Sequence, residues 1–178
     1  MKPRAAIPTY SEDKQYVNVI VETNKGSRNK YAYDEDSGIL LLKKVLPAGM
    51  AFPFDFGSIP GTRGDDGDPL DVLVLMGVPV CPPCVVEVHV VGVIEAIQTE
   101  DDKRERNDRL VAVTRFDNQP AEVESIKTLG RRTREEIEKF FISYNELAGK
   151  KFKILGYRGP KKAMKLIKEG EKRFFQEA

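Results

Sequence analysis

Four aspartates lie between positions 65 and 71, in a short segment that runs directly into an apolar stretch. The segment is GDDGDPLDVLVL (64–75), and its carboxylates belong to Asp65, Asp66, Asp68 and Asp71. Carboxylates this close repel one another, and the repulsion increases where water is excluded. The glycine and the proline among them favour a turn that is followed by a strand. The aspartates therefore form either a solvated turn or a site in which a cation holds them together.

Oxygen ligands of this kind are preferred by the hard cations Mg²⁺ and Mn²⁺. The segment fits an EF-hand calcium loop poorly, because no glutamate stands at the twelfth loop position and no flanking helices are predicted. A surface turn explains the spacing equally well. The spacing by itself thus predicts a candidate metal site and leaves the solvated turn open.

The composition indicates one globular domain over residues 1–178, with 40% apolar and 32% charged residues. The net charge of +1 does not favour a nucleic-acid partner. No apolar run reaches the roughly 18 residues of a membrane span, and the first residues lack the apolar region of a secretory signal. Two cysteines are too few for a disulfide framework. We therefore expect a cytoplasmic protein without a membrane partner.

Apolar alternation and β-branched residues predict the elements that would position the aspartates. Strands are predicted over 16–22, 71–78, 85–97 and 109–116, with strand, turn and strand over 30–45. A capping-box pattern of Thr133 and Glu136 predicts a first helix that ends near Gly149. Gly159-Pro160 predicts the start of a second helix, with a break near Gly170. This order indicates an α+β fold, a small closed barrel with packed helices.

The acidic segment resembles the pattern Asp-x-Asp-Pro-x-Asp-Val-Leu-Val of the soluble family I inorganic pyrophosphatases. Upstream, VETNKGSRNKYAYD (21–34) resembles that family's Glu-x-x-Lys-Gly-Ser-x-Asn-Lys-Tyr stretch, and residues 37–62 resemble its next segment. The resemblance implies a small closed OB-like antiparallel β-barrel with two C-terminal helices packed against it. It also implies Mg²⁺-dependent hydrolysis of pyrophosphate to two orthophosphates by a metal-activated water, with Mn²⁺ as a possible replacement.

The resemblance also implies roles for particular residues. Asp66 and Asp71 would be metal ligands, Asp68 would accept the proton of the attacking water, and Glu22 would support a metal through water. Asp65 is expected to be a solvated neighbour. The positions that would contact substrate are Lys30, Lys44, Phe56, Arg109, Tyr144 and Lys151.

Several positions depart from the family pattern. Ala32 replaces a glutamate, Lys44 an arginine, Asn145 a lysine, and Phe52 and Phe56 two tyrosines.

The largest departure is the segment 97–113, where Asn107 stands at the position of a metal-ligand aspartate and Arg109 at that of a lysine. The resemblance implies that Asn107 belongs to the metal site. Strand alternation would place Glu105, Asn107 and Arg109 on one face and Asp108 on the other. Glu105 is therefore expected to compensate as a metal ligand, with Glu100 or Asp101 replacing another family carboxylate.

Two other functions stay open from the sequence. The site could hydrolyse another phosphoanhydride, such as a nucleoside di- or triphosphate. The barrel could instead be a non-catalytic OB-like binding module, although a basic groove with interleaved aromatic residues is not evident. The resemblance further implies a homo-oligomer, either a dimer or a hexamer.

Overall fold

A computed structural model describes residues 7–34, 37–116 and 123–177 of the chain. Within these ranges the structure has nine strands, two α-helices and one 3₁₀ helix. The elements are β1 (Val17–Thr23), β2 (Asn29–Asp34), β3 (Ile39–Val45), β4 (Asp55–Ile59), β5 (Leu70–Leu75), β6 (Cys84–Glu100), β7 (Lys103–Arg106), β8 (Arg109–Thr114), the 3₁₀ helix (Ile126–Thr128), α1 (Arg131–Glu146), β9 (Lys151–Arg158) and α2 (Pro160–Glu177).

Five strands pair in a ring, in the order β1, β4, β5, β8, β6 and back to β1. The closed barrel predicted from the sequence is therefore present in the pairings. Its strands are antiparallel except for β5 and β8, which are parallel, so the expectation of an antiparallel barrel needs one correction. Between β5 and β8 the chain forms β6 and β7. Strand β8 therefore lies beside β5 and runs in the same direction as β5. Strands β7 and β9 extend the sheet along β6, and β2 and β3 form a separate hairpin.

Two apolar clusters hold the helices against the barrel. The first contains the interior valines of β1, β5 and β6 together with Ala163 and Ile167 of α2, which are fully buried. The second joins the other side of the sheet to α1 through Phe56, Phe140 and Phe141. Each helix thus buries its apolar stripe against a different part of the barrel, as amphipathic helices require.

The helix boundaries differ in part from the prediction. Helix α1 begins at Arg131, and its N-cap is Gly130, which makes no side-chain capping hydrogen bond. The predicted capping box is therefore wrong, because Thr133 already lies inside the helix. Helix α2 begins at Pro160 as predicted, but it continues through Gly170.

At Gly170 the helix packs closely against the barrel. The N–H of Arg63 donates to the Gly170 carbonyl at 3.0 Å, and an added Cβ would lie 2.9 Å from a methyl carbon of Leu70. The glycine therefore permits a close approach and does not mark a helix end.

Three described strands were not predicted. All five residues of β4 are buried, but three of them are aspartate, glycine and serine, which do not favour a strand. Strand β7 consists of four charged residues, which pair with Ile97–Glu100 of β6. Strand β9 lies between the two helices in the sequence and pairs with Val93–Thr99 of β6. The predicted turn over 34–38 includes residues 35–36, which lie outside the described residues.

No helix within the described ranges is long and apolar enough to cross a membrane.

Candidate active site

The acidic segment is a closed turn between β4 and β5. The N–H of Gly64 donates to the Asp68 carbonyl at 2.7 Å, and the N–H of Asp68 donates to Asp66 Oδ1 at 3.2 Å. Gly67 has a φ of +86°, a left-handed conformation that favours glycine. Asp71 lies just beyond the turn, on β5. The turn that the sequence predicts is therefore present, and its backbone places Asp66 beside Asp68.

Asp65 is largely exposed, in agreement with the solvated neighbour that the sequence suggested, but it also has an ion-pair partner. Its carboxylate lies 2.8 Å from Nη2 of Arg173 on α2, although 58% of the Asp65 side chain is exposed. Arg173 also donates through Nη1 to the Arg63 carbonyl at 3.1 Å. Helix α2 therefore braces the outer side of the acidic turn, an arrangement that local sequence cannot reveal.

Glu22 reaches the same end of the barrel from β1. It is only 5% exposed, and its Oε1 accepts from Ser58 Oγ at 2.8 Å and from the Tyr33 N–H at 3.3 Å. Burial raises the pKa of Glu22, while the Ser58 hydrogen bond and the Lys30 charge oppose that rise. Ser58 is a site residue that the sequence analysis missed. No motif marks it, and its position depends on the pairing of β1 with β4 and of Ser58 with Asp71.

Lys30 and Lys44 face each other across the β2–β3 hairpin. The Lys30 ammonium lies 4.9 Å from the Phe56 ring centroid, and the Lys44 ammonium lies 4.7 Å from the Tyr144 ring centroid. Aromatic rings at these distances attract cations through their quadrupoles. Phe56 is 2% exposed and belongs to the core. Its ring thus supports Lys30, and its position does not favour the direct substrate contact expected from the resemblance.

Asp71 interacts with both the acidic and the basic residues of this site. The parallel register of Val72 with Leu110 brings Asp71 next to Arg109, whose Nη1 lies 2.6 Å from Asp71 Oδ2. Tyr144 lies near the same pair. Burial raises the pKa of Tyr144, Arg109 lowers it and Asp71 raises it.

The segment before β8 differs from the expected arrangement. Asn107 donates through Nδ2 to Gln98 Oε1 at 2.7 Å, and its Oδ1 accepts from Arg109 Nη1. Asp108 accepts from the Ala96 N–H at 3.0 Å and pairs with Arg106 at 2.9 Å. Both side chains are thus already engaged within the protein, which does not support Asn107 as a metal ligand.

The expected replacement carboxylates lie away from the acidic turn. Glu105 lines a separate cleft with Gln98, Lys103 and neighbouring acidic residues of the β6–β7 hairpin, and Asp101 lines that same cleft. Glu100 pairs with Lys150 at 2.7 Å. Strand alternation predicted Glu105 on one face with Asn107 and Arg109. Glu105 instead lies opposite Gln98 and lines this separate cleft, whereas Asn107 and Arg109 line the cleft of the acidic turn.

Two further predicted positions lie near the end of α1. Asn145 is 2% exposed and donates to the Phe141 carbonyl at 2.8 Å, so its amide is buried within the helix packing. Lys151 is exposed at the start of β9, opposite Thr99.

The donor chemistry fits a divalent cation, although the carboxylates are not preassembled around one point. Within residues 7–34, 37–116 and 123–177, no group of three or more His, Cys, Asp or Glu side chains is arranged to hold a metal ion. Burial raises the pKa of Asp66, and repulsion from Asp68 and Asp71 adds to the rise. A bound divalent cation would offset both effects. Asp66 and Asp71 are therefore suitable first ligands.

Comparisons with known proteins agree with this geometry. The sequence model of the family described as inorganic pyrophosphatase matches residues 19–174. An inorganic pyrophosphatase of Synechocystis is 36% identical, covering 89% of this chain and 91% of the relative. One from Thermus thermophilus is 34% identical, covering 92% and 93%.

Solved structures give the same result. The crystal structure of the Thermus thermophilus inorganic pyrophosphatase superposes with a TM-score of 0.85 at 33% identity, covering 95% of this chain and 97% of that one. The Helicobacter pylori enzyme gives a TM-score of 0.84 at 30% identity, covering 93% and 96%. On the acidic turn, the barrel that carries it and these similarities over nearly the whole chain, the protein belongs to the family I inorganic pyrophosphatases, a family of metal-dependent enzymes.

Proposed function

We propose that this protein hydrolyses inorganic pyrophosphate to two orthophosphates with Mg²⁺, or with Mn²⁺ in its place. The observation that carries the proposal is the position of Asp71, which interacts with Glu22 and Asp66 on the acidic side and with Arg109 on the basic side. Asp71 thus lies next to the carboxylates that would bind a metal and next to a cation that would bind phosphate.

A bound metal would lower the pKa of its water and neutralise phosphate charge. Asp66 and Asp71 would hold it, and Glu22, oriented by Ser58, would bind its water. Asp68 extends from the same turn as Asp66, where it can accept the proton of the attacking water as a general base.

The basic residues would hold the two phosphoryl groups. Lys30 and Lys44 come from one hairpin and are steadied by aromatic rings, and Arg109 comes from β8. Tyr144 could donate its hydroxyl to a phosphate oxygen, because burial and the Asp71 charge keep it protonated. Lys151 is proposed only as an outer phosphate contact. Phe56 would act through Lys30, and no direct role is proposed for Glu105.

The decisive experiment measures phosphate release from pyrophosphate with and without Mg²⁺, for the wild type, Asp68→Asn and Asp65→Asn. General-base catalysis contributes about 10²- to 10⁴-fold, so Asp68→Asn should lower kcat by at least about 10²-fold. Asp65→Asn is the matched control, because Asp65 lies in the same turn but pairs with Arg173. It should change kcat less than about tenfold, because an exposed ion pair contributes only about 0–1 kcal/mol.

Absence of metal-dependent turnover by the wild type would overturn the proposal. Comparable turnover of a nucleoside di- or triphosphate would favour the wider phosphoanhydride hydrolase. Binding of single-stranded nucleic acid without any turnover would favour the OB-like binding module.

The homo-oligomer and the cytoplasmic location also stay predictions. Size-exclusion chromatography with light scattering would test the first, and fractionation of the source cells would test the second.

A further inference from the structure

Asp71 already has a cation bound to it within the chain. Arg109 Nη1 lies 2.6 Å from Asp71 Oδ2, and only 9% of the Arg109 side chain and 26% of the Asp71 side chain are exposed. Ion pairs with this much burial are weakly screened by salt. The guanidinium also stays charged at any pH at which the protein would work. One oxygen of Asp71 is therefore permanently engaged.

The guanidinium is held in place from several sides. Nη1 is also bonded to Asn107 Oδ1 and to the Asp108 carbonyl at 3.3 Å. The guanidinium carbon lies 5.5 Å from the Phe141 ring centroid. Nε is buried and has no hydrogen-bond partner among the described residues, so packing and charge determine its position. An arginine this constrained cannot easily move aside for a metal ion.

Asn107 completes the arrangement because it is neutral. Its Nδ2 is bonded to Gln98 Oε1 at 2.7 Å, which turns its oxygen toward Arg109. The carboxylate of Asp108, which is adjacent to Asn107 in the sequence, is paired with Arg106 at 2.9 Å. The space between Asp71 and residue 107 thus contains one fixed positive charge and lacks the second anionic ligand that a divalent cation prefers.

We propose that Arg109 serves as a built-in cation between Asp71 and Asn107, so that this position takes no metal ion. Metal would then bind on the Asp66 side of Asp71. The inference rests on the proposed function only in assuming that Asp66 and Asp71 bind metal. It adds that the number of metal ions is set by the charges of residues 107 and 109.

Calorimetric titration of the purified full chain with Mn²⁺, in the absence of pyrophosphate, tests this inference. The variants are Asn107→Asp, which supplies an anionic ligand without changing size, and Arg109→Gln, which removes the cation. Arg115→Gln is the control, because it breaks an ion pair of similar length, 2.7 Å to Glu87, outside the site. Circular dichroism confirms that each variant is folded.

We expect Arg109→Gln to bind one more Mn²⁺ per chain than the wild type, or to bind Mn²⁺ at least tenfold more tightly, and the double variant Asn107→Asp/Arg109→Gln to bind it more tightly still. Asn107→Asp alone should match the wild type, because Arg109 stays between the two carboxylates, and Arg115→Gln should match it as well. If Arg109→Gln does not fold, Arg109→Met takes its place in both variants. Equal stoichiometry and affinities within twofold for the folded variants and the wild type would overturn the inference, as would absence of Mn²⁺ binding throughout. Because no substrate is present, this result is independent of whether pyrophosphate is hydrolysed.

Discussion

Ser58 offers a direct test of how the barrel keeps a buried carboxylate at the site. Glu22 is 5% exposed and accepts two hydrogen bonds, at 2.8 Å from Ser58 and at 3.3 Å from the Tyr33 N–H. Ser58→Ala removes the shorter one. A hydrogen bond to a charged group contributes about 1.5–3 kcal/mol, so the metal-free protein should lose about 2 kcal/mol of unfolding free energy. For a chain of this size that corresponds to a fall of about 4–8 °C in Tm.

Urea denaturation and thermal unfolding at pH 7 with EDTA would measure this loss. Ser143→Ala is the matched control, because Ser143 is exposed on α1, and it should stay within about 0.5 kcal/mol of the wild type. In a Glu22→Gln background the cost of Ser58→Ala should fall to about half, because its partner is then uncharged. A loss below about 0.5 kcal/mol for Ser58→Ala, or an undiminished loss in the Glu22→Gln background, would refute the reasoning.

Two further predictions concern packing and pH. At Gly57 an added Cβ would overlap the Ile20 carbonyl oxygen, so Gly57→Ala must separate β1 from β4 and should cost about 3 kcal/mol by urea denaturation; a loss below about 1 kcal/mol would contradict this. Tyr10 donates to Glu171 at 2.9 Å, and burial, followed by that carboxylate, raises the Tyr10 pKa to about 12. Because the folded-state pKa lies above the ordinary value of about 10, the stability that Tyr10 contributes is complete below pH 10 and is lost toward pH 12. Tyr10→Phe should therefore cost about 1 kcal/mol at pH 8 and less at pH 11, and an equal cost at both values would refute the assignment.

The sequence predicted the strands that are rich in apolar and β-branched residues, and the helices whose apolar residues recur at helical spacing. Strands β1, β5, β6 and β8 were found in this way, although all seven residues of β1 are buried. Strand β4 was missed because three of its five buried residues are aspartate, glycine and serine, and β7 because its strand structure comes from pairing with β6 rather than from any apolar face. Apolar patterning therefore fails where a buried strand contains polar residues and where a strand is entirely charged.

The residues of the candidate site were likewise predicted only where the sequence brings them together locally. Asp66, Asp68 and Asp71 belong to one local motif, so their proximity could be predicted. The partners of Asp71 could not, because the contact with Arg109 depends on the parallel register of β5 with β8. Nor could the separation of Glu105 from the acidic turn be read from alternation, because the turn lines one cleft with residues 106–110 and Glu105 lines another with Gln98 and Lys103.

The closed ring of strands also determines when the site can form during folding. Its acidic and basic residues come from β1, β5 and β8, and β1 must meet β6 before the ring is complete. Such pairings between distant parts of the chain form slowly, because loop-closure entropy is lost before the contacts form. Glu22, Asp71 and Arg109 therefore come together only after β1, β4, β5 and β8 have paired. A partly folded chain would lack the metal ligands in position, and a metal ion that binds the completed site would slow unfolding more than it speeds folding.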